Sequence, residues 1–131
     1  MSNLRILEGG RAAYAFACAK EGIKTSEYES WAKKMPMLIK TNGLGAALAF
    51  LKSKDGRVYE KLYDQAKSWL IHDDCPIKDL ISLSDSAELV EKVINLESPA
   101  YRAATIELIT FFNWVRRFAS GLDNSASEQP T

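Results

Sequence analysis

Histidine and cysteine are scarce in this chain of 131 residues, which has one histidine and two cysteines. Cys18 and Cys75 lie far apart and in no metal-binding spacing, so the sequence predicts neither a disulfide framework nor a zinc site. The opening residues, "MSNLRILEGGR", lack the apolar segment of a signal peptide. No run approaches the roughly 20 apolar residues that cross a membrane. We therefore expect a cytoplasmic protein in a reducing compartment.

Net charge is also missing, because 17 lysines and arginines balance 17 aspartates and glutamates. This balance excludes a strong field over the whole molecule that would attract nucleic acid, but it leaves room for a local basic patch. The length predicts one domain. We assign it to residues 1–122, followed by a polar tail at residues 123–131, "DNSASEQPT", that we expect to be disordered.

Segments that alternate between apolar and polar residues are absent as well, so no strand is predicted. Apolar residues instead recur at spacings of three and four along nearly the whole chain. The pattern is clearest in the last helix, which Ser98 and Pro99 should open and Gly121 should end. The sequence therefore predicts an all-α fold, a compact single-domain bundle of five or six helices.

Capping signals predict several helix boundaries. Ser26 with Glu29 has the spacing of a capping box that opens the second helix. Asp85 with Glu88 has the same spacing and should open the fifth helix. Gly22 is suited to the position just past the end of the first helix.

The segment "KTNGLGAALAFLKSK" at residues 40–54 contains an Asn-Gly pair that is typical of hairpin turns and a glycine pattern that suggests phosphate binding. Its leucines lie at helical spacing, and the Gly-Lys-Ser/Thr of a phosphate loop is missing. We therefore predict a third helix capped by Thr41 or Asn42. Just before it, Pro36 predicts a kink or break in the second helix.

Side chains able to catalyse are few. His72 lies beside two acids and is expected to be a cation at a helix end. Cys18 falls on an apolar face and is expected in the core. Cys75 precedes a proline in a turn, a position unsuited to a nucleophile–base dyad with His72. The carboxylates lie at helix ends or on helix faces, among them Glu88, Glu91 and Glu107. We predict no catalytic residue, no metal and no cofactor.

Three segments carry a resemblance: "YESWAKKMPMLIKTNGLGAALAFLKSK" (28–54), "YEKLYDQAKSWL" (59–70) and "YRAATIELITFFNWVRRFASGL" (101–122). The corner "MPMLIKTNGL" and the final helix are the most specific parts. With "RAAYAFACA" (11–19), the similarity covers most of the chain, while residues 71–97 add little. The sequence resembles the small subunit of the Cmr-type, type III-B CRISPR effector complex, which is guided by RNA.

The resemblance implies a helical bundle without catalytic residues. It implies that several copies stack head to tail in a minor filament, whose basic face lines the channel for target RNA paired with guide RNA. RNA cleavage and nucleotide cyclisation would belong to other subunits. The expected partners are those subunits, the RNA duplex and further copies of this chain, with no membrane and no small-molecule substrate.

Surface cations cluster around the second helix, the turn after the third and the end of the last. On one face, such cations would follow a phosphate backbone without reading sequence. Charge alone favours this interpretation no more than it favours a set of solvated side chains. Charge and position within the resembling segments predict these RNA contacts: Lys33, Lys34, Lys40, Lys52, Lys54, Arg116 and Arg117.

Two further expectations concern the last helix and the aromatic residues. Arg102 is expected to pair with a neighbouring subunit or with Glu107 on its own helix. Exposed aromatic rings can stack on bases. We nevertheless expect Trp31, Trp69 and Trp114 in the core or at a contact between subunits.

Three other functions compete with RNA binding. A helical adaptor that joins proteins without touching nucleic acid would expose an apolar patch in place of a basic one. A helix-turn-helix regulator of DNA would need a polar, basic recognition helix, and "GLGAALAFLK" at residues 43–52 is too apolar for that role. A small enzyme with scattered carboxylates would need a pocket that gathers them.

Overall fold

Helices account for all the regular secondary structure in the described part of the chain. The computed structural model describes the backbone of residues 2–127 and the side chains of residues 9–122. The predicted all-α bundle is confirmed: five helices have ten or more residues, and two connecting helices have four and six. In chain order they are α1 Ser2–Gly22, α2 Tyr28–Asn42, α3 Leu44–Ser53, α4 Arg57–Ile71, α5 Lys78–Ile81, α6 Leu89–Ile94 and α7 Ser98–Ser127.

The long helix α7 is the centre of the bundle, and both α1 and α2 pack along it. Arg11 of α1 meets Glu107 of α7, and further along both helices Phe16 meets Phe118, so α1 and α7 run parallel. The C-terminal end of α2 lies beside Tyr101 in the first turn of α7, so α2 runs antiparallel to it. The buried residues of α7 recur at three and four, as the sequence predicts: Ala104, Leu108, Phe111, Phe112, Val115 and Ala119.

A buried ion pair ties α1 to α7. The Arg11 guanidinium donates from Nε to Glu107 Oε2 at 2.6 Å and from Nη2 to Oε1 at 2.9 Å. The indole of Trp69, which has no exposed surface, donates to Glu107 Oε2 at 2.8 Å. The predicted alternative in which Arg102 pairs with Glu107 is wrong. Glu107 faces the core, while Arg102 lies on the exposed side of α7.

Both predicted capping boxes are wrong. The N-cap of α2 is Glu27, in the left-handed region at φ 69°, and no side chain caps the helix. Glu29 forms an ion pair with Lys33 instead. The N-cap of α6 is Glu88, again without a side-chain cap, and its carboxylate accepts a hydrogen bond from Tyr63. In both places the acid meets a side-chain partner, so the local capping pattern does not form.

The predicted helix after the Asn-Gly pair is present as α3. Its N-cap is Gly43 at φ 92°, so the prediction that Thr41 or Asn42 caps it is wrong. Part of the capping comes from across the bundle, because the backbone N–H of Gly45 donates to the Tyr101 hydroxyl at 2.9 Å. Of the kink or break predicted at Pro36, the break is wrong, since α2 continues through this residue. Packing of the helix against α7 compensates for the one hydrogen bond that a proline removes.

The helix α7 continues past Gly121 to Ser127, so it does not end at the predicted glycine. The predicted disorder of residues 123–131 stays a prediction, because side chains beyond Leu122 and all of residues 128–131 lie outside the described part. Within that part, no helix combines the length and the apolar character needed to cross a membrane.

Candidate nucleic-acid interface

Three half-buried aromatic rings meet where α2, α3 and α4 come together. Trp31 lies 5.6 Å from Phe50 and 5.1 Å from Tyr59, measured between ring centroids, and Phe50 lies 6.2 Å from Tyr59. Two of these contacts are edge-to-face, the arrangement that ring quadrupoles favour. We call Trp31, Phe50 and Tyr59 the aromatic corner. It joins α2, α3 and α4. Four of the predicted cations lie on α2 and α3, and a fifth, Lys54, directly follows α3.

Two predicted RNA contacts lie on the faces of these rings. The Nζ of Lys34 is 4.3 Å from the centroid of the Trp31 ring. The Nζ of Lys54 is 5.2 Å from the centroid of the Phe50 ring. Helical geometry explains the first contact, because residues three and four apart lie on one face of a helix. A ring face attracts an ammonium group without neutralising its charge.

Two other predicted contacts are ion-paired with carboxylates. Lys33 Nζ lies 3.0 Å from Glu29 Oε2, one turn back on α2. Lys52 Nζ lies 3.2 Å from Glu88 Oε1, at the start of α6. Both lysine side chains are about half exposed, at 55% and 54%. Each pair has no net charge, unlike the lysines on the ring faces.

Glu88 joins Lys52 to the tyrosine below it. The Tyr63 hydroxyl donates to Glu88 and accepts a hydrogen bond from the N–H of Val90 at 3.0 Å, while Lys52 Nζ lies 5.0 Å from the Tyr63 ring centroid. The hydrogen bond from Tyr63 and then that from Lys52 hold the pKa of Glu88 below its usual range. Burial, followed by the bond to Glu88, raises the pKa of Tyr63 to about 12.

The Glu88→Gln variant should show what this lowered pKa contributes to stability. The ionised form is favoured in the folded state, so its contribution is fully present above the unfolded pKa of 4.5 and is lost as the pH falls through the folded value. We expect the difference in unfolding free energy between wild type and variant to be constant near neutral pH and to shrink below pH 4.5. Urea titrations at pH 7 and pH 3.5 measure it. Tyr63→Phe should weaken the same pH dependence, and an unchanged difference at pH 3.5 would contradict the assignment.

The remaining predicted cations lie elsewhere. Lys40 is exposed in the last turn of α2, and Arg117 is exposed on α7. Arg116 is half-buried and donates from Nε to Asn113 Oδ1 at 3.0 Å. Among residues 9–122, none of these three forms a hydrogen bond or a cation–π contact with the aromatic corner. The structure therefore brings Lys34 and Lys54 to one cluster of rings, places Lys33 and Lys52 in ion pairs, and leaves the other three apart.

Next to the aromatic corner is a groove of about 290 Å³ that contains charges of both signs. Lys52 and Lys54 line it together with Glu60, Tyr63 and Asp64. Burial, and then the neighbouring Glu60, raise the pKa of the Asp64 carboxyl. Because two acids line the groove together with the two lysines, the groove is a poorer place for a phosphate than the ring face beside Lys54.

The two cysteines are buried, and the histidine packs against an aromatic ring at a helix end. Burial raises the pKa of both the Cys18 and the Cys75 thiols to about 11, which disfavours the reactive thiolate. The ring of His72 packs 4.4 Å from that of Tyr14, and its Nδ1 accepts a hydrogen bond from the N–H of Asp74 at 3.0 Å. His72 lies at the C-terminal end of α4, as predicted, where it accepts this backbone hydrogen bond and its Nδ1 lies 3.9 Å from Asp74 Oδ2. In residues 9–122, no group of three or more metal-binding side chains converges.

Comparison with known proteins decides the family. Residues 7–122 match the family described as CRISPR-associated protein (Cas_Cmr5). The chain belongs to this family. A curated relative, the CRISPR system Cmr subunit Cmr5 of Thermus thermophilus, is 29% identical over 104 residues, which are 79% of this chain and 82% of the relative. The predicted resemblance to a Cmr subunit is therefore confirmed.

A solved structure supports the fold of this Cmr5-family chain. The X-ray crystal structure of a CRISPR-associated Cmr5 family protein from Thermus thermophilus superposes with a TM-score of 0.70 at 24% sequence identity. The superposition covers 88% of this chain and 96% of that one. At this identity the likeness establishes a shared helical fold and leaves function to other observations.

The sequence-based prediction of cations in this Cmr5-family chain missed their aromatic partners. Trp31 and Lys34 are three residues apart, and Phe50 and Lys54 are four apart, so the spacing needed for a contact was visible. Nothing local shows that Trp31, Phe50 and Tyr59 meet, since they belong to three helices. Trp69 is in the core as predicted, while Trp31 and Trp114 are half-buried and pack against other rings.

Proposed function

We propose that this Cmr5-family chain is a non-catalytic structural subunit of a type III-B CRISPR ribonucleoprotein that acts in antiviral defence in the cytoplasm. Its copies stack in a minor filament and contact target RNA, paired with guide RNA, through basic surface residues. The match over residues 7–122 is the observation that carries this proposal, together with a relative whose name describes a Cmr subunit.

The reactive side chains and the surface lysines both support a role in holding RNA rather than in cutting it. Both thiols have raised pKa values, and His72 accepts a hydrogen bond from the backbone, so none of them is poised as a nucleophile or base. Lysines on ring faces suit contacts with a phosphate backbone, which need charge at a fixed position and no sequence readout.

A net charge of zero is consistent with this role. When base pairing between guide and target reads the sequence, the protein has only to recognise duplex shape and backbone. A few cations on each copy then suffice, because repetition along a filament raises their effective concentration. An isolated copy should bind RNA weakly for the same reason, since its small patch acts alone.

A pulldown tests the proposal. The tagged chain is purified from its native cells at native salt, and nucleic acid is extracted from the eluate. Short RNAs of uniform length together with a set of larger proteins are expected. A bare protein without RNA and without partners would refute the proposed role.

The alternative, a helical adaptor between proteins without nucleic-acid contact, has some support from exposed apolar side chains. Ile94 and Ile106 are 62% and 61% exposed, and Met37 is 64% exposed. Such residues suit contacts with other proteins. Recovery of partner proteins without RNA in the same pulldown would favour the adaptor.

A further inference from the structure

The seven predicted cations are not equivalent, because their nearest partners differ. Lys33 and Lys52 each lie about 3 Å from a carboxylate, that of Glu29 or Glu88. Lys34 and Lys54 lie over aromatic rings, and neither forms an ion pair with a carboxylate among residues 9–122. Three of these partners lie three or four residues from their lysine, and only Glu88, the partner of Lys52, is distant in the sequence.

This difference changes what an approaching phosphate meets. A carboxylate 3 Å from a lysine is well inside the screening distance of about 8 Å at physiological salt, so a phosphate approaching either pair meets an acid together with the base. An aromatic ring carries no net charge, so on the ring faces neither Lys34 nor Lys54 has an ion-paired carboxylate, although Lys54 also lines the groove that contains Glu60 and Asp64. The ring also restricts the ammonium group to one region, which lowers the entropy lost on binding.

The two lysines are joined by the ring cluster that holds them. Trp31 and Phe50 contact each other at 5.6 Å, and Tyr59 packs against both. Lys34 on α2 and Lys54, directly after α3, therefore lie over two rings that pack against each other. We infer that this subunit contacts the RNA backbone through Lys34 and Lys54 at the aromatic corner, and that Lys33 and Lys52 are ion-pair partners that contribute little. This inference rests on the proposed function.

Two double variants with the same change in charge test it. Lys34→Gln/Lys54→Gln and Lys33→Gln/Lys52→Gln each remove two positive charges from neighbouring positions. Each is assembled into the effector complex, and affinity for target RNA is measured over a series of salt concentrations. The first should bind about tenfold more weakly or worse, with a salt slope reduced by roughly one for each lost contact. The second leaves the Glu29 and Glu88 carboxylates without their lysines, so it should also bind more weakly, but by no more than about threefold, because it removes no direct contact with the RNA.

Equal losses in the two double variants would overturn the inference, because they would show that only total charge matters. A larger loss in Lys33→Gln/Lys52→Gln would also overturn it. A variant with all seven predicted cations changed to glutamine separates this failure from failure of the proposed function. If that variant binds RNA as wild type does, the RNA contact itself is refuted. If it binds weakly while Lys34→Gln/Lys54→Gln does not, only the assignment to the aromatic corner fails.

Discussion

Replacing Glu107 with alanine is expected to lower the free energy of unfolding by about 3–5 kcal/mol, the range for breaking a buried ion pair. The Arg11 and Glu107 side chains are only 11% and 7% exposed, so water reaches the remaining charge poorly. The same carboxylate accepts the indole N–H of Trp69, which loses this acceptor in the core. Denaturation in urea, followed by circular dichroism, measures the loss.

Two further variants sharpen this test. Glu91→Ala removes an exposed acid from α6 and should change stability by no more than about 0.5 kcal/mol. Arg11→Met/Glu107→Leu replaces both charges by apolar groups of similar size and should recover much of the loss, because it also removes the buried Arg11 charge from which Glu107→Ala takes the Glu107 carboxylate. A loss below about 1 kcal/mol in Glu107→Ala would show that the pair is more hydrated than its burial indicates.

The core of this fold is predictable from sequence because its signal is periodic and long. In α7, the positions at three and four spacing are those that the structure buries, from Ala104 to Ala119. Helix ends are predicted less well because their signals are single side chains. Glu29 and Glu88 satisfy the spacing of a capping box, yet each is held by a partner, Lys33 or Tyr63, so its contribution to capping is lost.

In the candidate site, too, the sequence predicts some features and misses those that depend on contacts between helices. Charge patterns identified Lys34 and Lys54 together with five other cations, because charge is visible in the sequence. The ion pair of Lys33 with Glu29 is local, at i and i+4 in α2, whereas that of Lys52 with Glu88 depends on a contact between α3 and the start of α6, 36 residues further along. The buried pair of Arg11 and Glu107 is separated by 96 residues, and no local pattern predicts it.

Gly22→Ala should destabilise the protein by about 2–4 kcal/mol, at or above the upper part of the range for overpacking. A Cβ at this position would lie 2.1 Å from Cζ of the Tyr28 ring and 2.3 Å from Cε1, well inside van der Waals contact. The ring is only 1% exposed, and its hydroxyl donates to Gln65 Oε1 at 2.5 Å. Gln65 in turn donates to the carbonyl of Cys18 at 2.9 Å, so the ring cannot move without breaking this chain of hydrogen bonds.

Gly121→Ala is the matched control for Gly22→Ala, because a Cβ there meets no atom within 4 Å and the residue lies within α7. Alanine at this helical position should stabilise the protein by about 0.5–1 kcal/mol. The two substitutions are chemically identical, so opposite signs in urea denaturation can come only from their surroundings. If Tyr28 is the cause, Gly22→Ala should cost much less in a Tyr28→Leu background, a coupling that a double-mutant cycle measures. Equal costs in both backgrounds would show that the backbone of α1, rather than the ring, requires glycine.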